Sequence, residues 1–134
     1  MNRRFGVLRA LACAGGACLA GLAPAGTAIA YFDHYLTGTI VGTLTQKQLD
    51  VLTGVFRRTL EQGADGARVT FTLPPDTRER KVEGAFTPLR SRQDHGDRCR
   101  QLHSEFRRAG ASESWTGWYC KEKGGDWKSR KLAN

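Results

Sequence analysis

Leu49, Leu52, Val55, Phe56 and Leu60, with Thr59 among them, recur at intervals of three and four, while Gln48, Asp50, Arg57, Arg58 and Glu61 fall mostly outside that stripe. This period is that of an amphipathic helix with one buried face. Thr45-Gln46-Lys47-Gln48 forms a capping box, in which the threonine hydroxyl accepts from the amide of Gln48 and the glutamine side chain reaches back. The helix is therefore expected over residues 46–62, with Gly63 as its C-cap. After residues 63–66 the period drops to two. Val69, Phe71 and Leu73 alternate with Arg68, Thr70 and Thr72, which predicts a half-buried strand stopped by Pro74-Pro75-Asp76. Residues 77–81 are expected as an exposed basic turn. A second strand is expected over residues 81–87, ending at Pro88 because proline cannot donate to a central ladder, with a loop through Asp94-His95-Gly96.

Residues 96–127 carry the two cysteines that lie outside the N-terminal apolar segment. A hairpin turning near Ala109-Gly110 places Cys99 and Cys120 at equal distances from the turn, hence directly opposite each other. Opposed Cβ atoms in an antiparallel pair are roughly 4.5 to 5.5 Å apart, within reach of a disulfide after small adjustment. Alternation then separates two faces. Cys99, Gln101, His103 and Glu105 share one with Ser114, Thr116, Trp118 and Cys120; Leu102, Phe106, Trp115 and Tyr119 share the other. The second face is the more apolar and should lie under the helix, leaving the disulfide and the Trp118 indole together on the opposite, exposed side. A turn at residues 123–126 leads to a last strand from Trp127 and a basic tail. The predicted fold is α+β, one amphipathic helix packed on a four- to five-stranded antiparallel meander over residues 45–131, with 132–134 as tail.

The first thirty residues read as a secretory signal peptide. Asn2-Arg3-Arg4 and Arg9 precede a small-residue apolar run over residues 10–23, and Ala28-Ile29-Ala30 is an A-x-A cleavage pattern before Tyr31. The apolar run is shorter than the roughly 20 residues a spanning helix needs. Lipidation at Cys13 or Cys18 is the alternative route and would give membrane contact; Cys18 lacks the bulky aliphatic residue expected three places before a lipidated cysteine, and cutting at Cys13 would leave a short signal broken by Arg9. Residues 31–44, with Gly38 and Gly42 four apart, are expected as a flexible leader. Removing Arg3, Arg4 and Arg9 from 21 basic residues leaves 18 against 13 acidic, a balance of +5. That sign favours an anionic partner, although the charges are interspersed as on an ordinary solvated surface. Two of the four cysteines survive processing, as a pair able to persist as a disulfide in an oxidising compartment.

Candidate chemistry is sparse. His34, His95 and His103 are widely separated, with no spacing that places two metal ligands on one helical face, and no cofactor motif is present. His103, Glu105 and Ser114 share a strand face, the arrangement an exported hydrolase would need, but no nucleophile elbow or oxyanion loop accompanies them. The cysteines lack the C-x-x-C spacing of a redox pair. Arginines and lysines beside Trp115, Trp118 and Tyr119 have the composition of a single-strand nucleic-acid surface, yet an exported chain meets little nucleic acid, and none is expected as partner.

The ordered set G-A-F-T-P-L-R-S-R-Q (residues 84–93), G-x-x-C-R (residues 96–100), a cysteine about twenty residues later, and G-x-W (residues 125–127) resembles the C-terminal domain of the seventeen-kilodalton surface antigen family. Members of that family are exported envelope proteins of Gram-negative bacteria, commonly lipoproteins, in which a helix precedes a short β-meander. Typical relatives also carry a lipobox and a long glycine-zipper region, where this chain has Cys13 and Cys18 in other contexts and the single Gly38–Gly42 pair. The resemblance covers about residues 45–131 and implies the α+β architecture, a strand end at Thr87-Pro88 and the Cys99–Cys120 pair; it carries no catalytic residues. Together these readings lead us to expect an exported, non-catalytic protein of the periplasm or outer membrane. Its candidate binding surface is Gln101, His103, Trp118, Arg107 and Lys121, and its partner an envelope protein or an anionic envelope component. An inhibitor or assembly partner of a secreted enzyme is the alternative, suggested by the helix-over-meander shape.

Overall fold

The computed structural model describes residues 38–123 and 125–133. The expected signal peptide, Cys13 and Cys18, residues 31–37 and Gly124 of the last turn lie outside the described residues. Within them, one helix, α1 (Gln46–Gln62), is followed by five strands: β1 (Val69–Leu73), β2 (Val82–Asp94), β3 (Asp97–Arg108), β4 (Ala111–Lys121) and β5 (Trp127–Ser129). The strands form one sheet in the order β1-β2-β3-β4-β5, each antiparallel to its neighbour. The fold is α+β, one helix on an antiparallel meander.

The capping box opens α1: the Gln48 amide donates to Thr45 Oγ1 at 3.2 Å, and the Thr45 amide donates to Gln48 Oε1 at 3.0 Å. Gln48 does not stay at the helix surface as its position off the stripe suggested. It is buried, because its Nε2 also donates to the Pro74 carbonyl at 2.8 Å and so ties the start of α1 to the end of β1. Gly63 ends the helix for a different reason from the usual left-handed cap. Its backbone is extended (φ −65°, ψ 134°), and a Cβ there would sit 2.5 Å from the Thr59 carbonyl oxygen, so close approach requires glycine.

Leu52, Phe56 and Leu60 of α1 bury against Phe71, Leu73, Val82, Phe86, Leu102, Phe106, Tyr119 and Trp127. Phe56 meets Tyr119 edge-on, with ring centroids 4.9 Å apart, and meets Phe86 at 5.7 Å. The leader expectation needs correction for its described part. Ile40 and Val41 are 3% and 2% exposed and belong to this core, and Val41–Thr43 form a 3-10 turn. The Ile40 amide donates to Glu113 Oε2 at 2.8 Å, which fastens the segment to β4.

A second correction concerns β2. It does not end at Pro88 but continues to Asp94, with a register shift between Pro88 and Arg90. Proline is tolerated there because β1 pairs β2 only from Val82 to Phe86, so Pro88 faces a β1 side with no neighbouring strand and sits at a bulge. The expected loop before Gly96 is a tight turn, His95 (φ 49°) and Gly96 (φ 81°), with the backbone that two-residue hairpins require.

On the helix side of β3 lies a charged residue in the apolar layer. Arg100 is 2% exposed and reaches the C-terminus of α1, where its Nη1 donates to the Thr59 and Leu60 carbonyls at 3.2 and 2.9 Å. Its Nε donates to Ser91 Oγ at 3.0 Å and its Nη2 pairs with Asp65 at 2.5 Å. A cation at this end complements the helix dipole and satisfies carbonyls that the helix leaves open. The Arg100 guanidinium in turn holds the Asp65 carboxyl below its ordinary range. Arg100→Met should therefore cost about 3 kcal/mol in urea unfolding, since two helix-end carbonyls and Asp65 lose their partner. A loss below about 1 kcal/mol would show that the arginine is dispensable.

Candidate functional site

The face of the sheet away from α1 is set by the turn between β3 and β4. Ala109 (φ 48°) and Gly110 (φ 84°) form a two-residue turn, and the register that follows pairs Cys99 with Cys120, Gln101 with Trp118, His103 with Thr116 and Glu105 with Ser114. A two-residue turn makes Arg108 and Ala111 a hydrogen-bonded rung. Counting back by alternation makes Cys99 and Cys120 a non-hydrogen-bonded pair, the kind whose Cα atoms come closest. Their Cα atoms are 4.0 Å apart and the sulfurs form a disulfide.

The disulfide is not an exposed clamp, as the alternation alone suggested. Both cysteines are fully buried and Trp118 is 6% exposed; with Leu132 packed against them they make a small second core on this face. Two features that the strand pattern did not predict build this cover. The first is the bulge at Leu89. Upstream of it the odd-numbered residues Glu83, Ala85 and Thr87 oppose Arg107, Glu105 and His103 on the outer face; downstream, Arg90 opposes Gln101 and Arg92 opposes Cys99. The extra residue thus switches the parity of β2 and turns two arginines onto the outer face. Arg92 Cζ lies 4.6 Å and Arg90 Cζ 5.4 Å from the centroid of the Trp118 ring, both within cation–π range. Arg90 is also held by its Nε, which donates to Gln101 Oε1 at 2.9 Å.

The second feature is the C-terminal segment, which continues past β5 instead of trailing away. The Arg130 amide donates to the Trp118 carbonyl at 2.9 Å, and its guanidinium pairs with Asp94 at 3.0 Å and Asp97 at 2.6 Å. This anchor brings Leu132, expected as free tail, onto the disulfide cluster. The Trp118 indole N–H, by contrast, has no acceptor among the described residues. Leaving a buried donor unpaired is costly, of order 1 to 3 kcal/mol, and the Thr53 hydroxyl on α1 is in the same condition.

Of the five candidate surface residues, Gln101, His103, Trp118 and Arg107 do share the outer face. Gln101 and His103 adjoin Trp118, whereas Arg107 stands at the far end, opposite Glu83 and Ser112. Lys121 does not belong to the patch. Odd positions of β4 face the helix, and its Nζ pairs there with Glu61 Oε1 at 2.5 Å. Lys121, and then Trp127 and Arg98, hold the Glu61 carboxyl below its ordinary value although burial acts the other way. The alternation along β4 contains this assignment, and it could have been read from the sequence; Arg90 and Arg92 could not be placed without knowing that Pro88 marks a bulge.

His103, Glu105 and Ser114 lie on one face, but His103 and Glu105 are engaged outside the set. His103 Nδ1 is 2.8 Å from Thr116 Oγ1, and Glu105 pairs with Arg68 at 3.1 Å. Beyond them an open polar groove of about 410 Å³ runs between Arg68, Thr70, Thr72, Glu83, Glu105 and Ser114. No group of three or more metal-ligating side chains occurs among the described residues, and no described helix is long and apolar enough to cross a membrane. Comparison with protein-family models, curated proteins and solved structures found no match to the chain.

The disulfide closes a loop of 21 residues in sequence separation. In the loop-entropy account such a bridge contributes about 3 kcal/mol. Cys99→Ala with Cys120→Ala should lower the unfolding free energy by about that amount and shift Trp118 emission, since the indole loses its floor. An unchanged denaturation midpoint would show that the bridge does not brace the sheet.

Proposed function

We propose that the protein is an exported, non-catalytic component of the cell envelope, in the periplasm or at the outer membrane, that binds another envelope component through the outer face of its sheet. The observation that carries this reading is the layered arrangement of disulfide, Trp118 indole and paired guanidiniums beside Gln101 and His103. The indole itself is covered, so what it offers a partner is two exposed guanidiniums held in place, and arginine is among the residues on which binding surfaces depend. The signal-peptide pattern in residues 1–30 and the bridged cysteines fit one another, because a disulfide persists where the compartment is oxidising. The resemblance to the seventeen-kilodalton surface antigens points to the same location. The partner is an envelope protein or an anionic component such as a lipid head group or polyanionic polymer, in keeping with the positive balance of the chain.

The test is expression of the full chain in a Gram-negative cell with a photo-crosslinking residue at Gln101, and, in a second strain, at Arg58 on the solvent side of α1. We expect the exported protein to have the mass of a chain starting at Tyr31 with one disulfide, and crosslinks to an envelope component from position 101 but not from 58. Capture of a secreted hydrolase at 101 would replace the general reading by the inhibitor or assembly-partner alternative. A chain retained in the cytoplasm with free thiols would overturn both.

A further inference from the structure

We infer that Arg90 and Arg92, seated on Trp118, form a binding site for a phosphate group. The inference rests on the reading of the outer face as a binding surface and names the chemistry of its ligand. Both arginines are exposed at the sheet surface. No carboxylate of the described residues pairs with either one: Arg90 is bonded to the neutral Gln101, and Arg92 has the indole. The nearby acids are already committed. Asp94 and Asp97 pair with Arg130, and Glu105 pairs with Arg68. Two positive charges therefore share one ring without a counter-ion among the described residues.

Stacking matters as much as charge. A guanidinium lying over an aromatic ring has lost much of its rotamer freedom, while its N–H edges stay available for a bidentate acceptor. The ligand then pays less ordering cost on binding. One carboxylate carries a single charge and so neutralises only one of the two guanidiniums. A phosphate monoester carries close to two negative charges and three acceptor oxygens, so both forks can bind by sharing one oxygen, and the charge of both guanidiniums is matched. The Trp118 indole N–H, on a side chain more than nine-tenths buried beside these arginines, also lacks an acceptor among the described residues. Over the cluster lie the side chains of Arg90 and Arg92, with the half-buried Leu132 packed against it. The phosphate is either borne by a lipid or carried on a soluble molecule; the protein chemistry is the same.

The experiment titrates the oxidised protein with inorganic phosphate, with acetate, and with vesicles of phosphatidylcholine with or without phosphatidic acid, following tryptophan emission and vesicle co-sedimentation. We expect a response to phosphate or to the phosphatidic acid vesicles, none to acetate or to phosphatidylcholine alone, and loss of the emission change in Trp118→Phe, which leaves Trp115 and Trp127 in place. A response to the vesicles alone places the phosphate on a lipid, and a response to both leaves the soluble group sufficient. Arg90→Gln with Arg92→Gln should weaken binding at least about tenfold. Arg90→Lys with Arg92→Lys, which preserves net charge but removes the fork, should weaken it about as much. Silence toward both phosphate probes, an equal response to acetate, or wild-type binding by either double variant would overturn the site. If the site fails while the crosslinker at Gln101 still captures an envelope component, the binding face stands without the phosphate. Phosphate binding by a chain that is never exported separates the two claims in the other direction.

Discussion

Everything on the sheet depends on the two-residue turn at Ala109-Gly110. Its left-handed backbone admits one pairing between β3 and β4, and because strand side chains alternate, a slip of one residue would carry every side chain to the opposite face. In the register observed, Leu102, Phe106 and Tyr119 meet the helix, while the cysteines and Trp118 meet on the far side. The disulfide then closes only because its two residues are opposed in the closer kind of pair. One local constraint thus places both the core that holds the fold and the surface on which we expect binding.

The bulge at Leu89 modifies that constraint for β2 alone. A strand that obeyed one parity throughout would place Arg90 and Arg92 on the same face as Val82 and Phe86; the extra residue moves them to the outer layer and sends Ser91 to the helix side, where it accepts from Arg100. The bulge therefore supplies both faces at once. On one it completes the hydrogen bonding of a buried arginine that caps α1, and on the other it roofs the indole. Bulges that re-aim side chains recur beside functional sites for this reason.

Much of the fold was legible because its signals are local. The capping box at Thr45 and the three-and-four period locate α1 at its observed ends, and the equal spacing of Cys99 and Cys120 from Ala109-Gly110 gives the hairpin register. What escaped depends on long-range partners. Pro88 marks a strand end or a bulge with equal right, and the choice rests on where β1 stops pairing. Ile40 and Val41 lie between glycines that suggest a free leader, yet both are buried members of the core. Arg100 was readable in part: its even number placed a cation among the apolar residues of β3, a conflict that needs a buried acceptor, here the carbonyls at the end of α1. Lys121 was misplaced although the same alternation assigns it to the helix face.

The register of the β3–β4 hairpin is the claim on which the rest stands, and a single nuclear Overhauser spectrum of the oxidised protein tests it. Non-hydrogen-bonded antiparallel pairs bring their Hα atoms into close contact. The account requires strong Hα–Hα peaks for Gln101 with Trp118, His103 with Thr116 and Glu105 with Ser114, together with contacts from the Trp118 ring to the Arg90 and Arg92 side chains. Strong Hα–Hα peaks from Gln101 to Gly117 or Tyr119 in place of Trp118 would mean a register slipped by one residue. The separation of core and outer face would then be wrong.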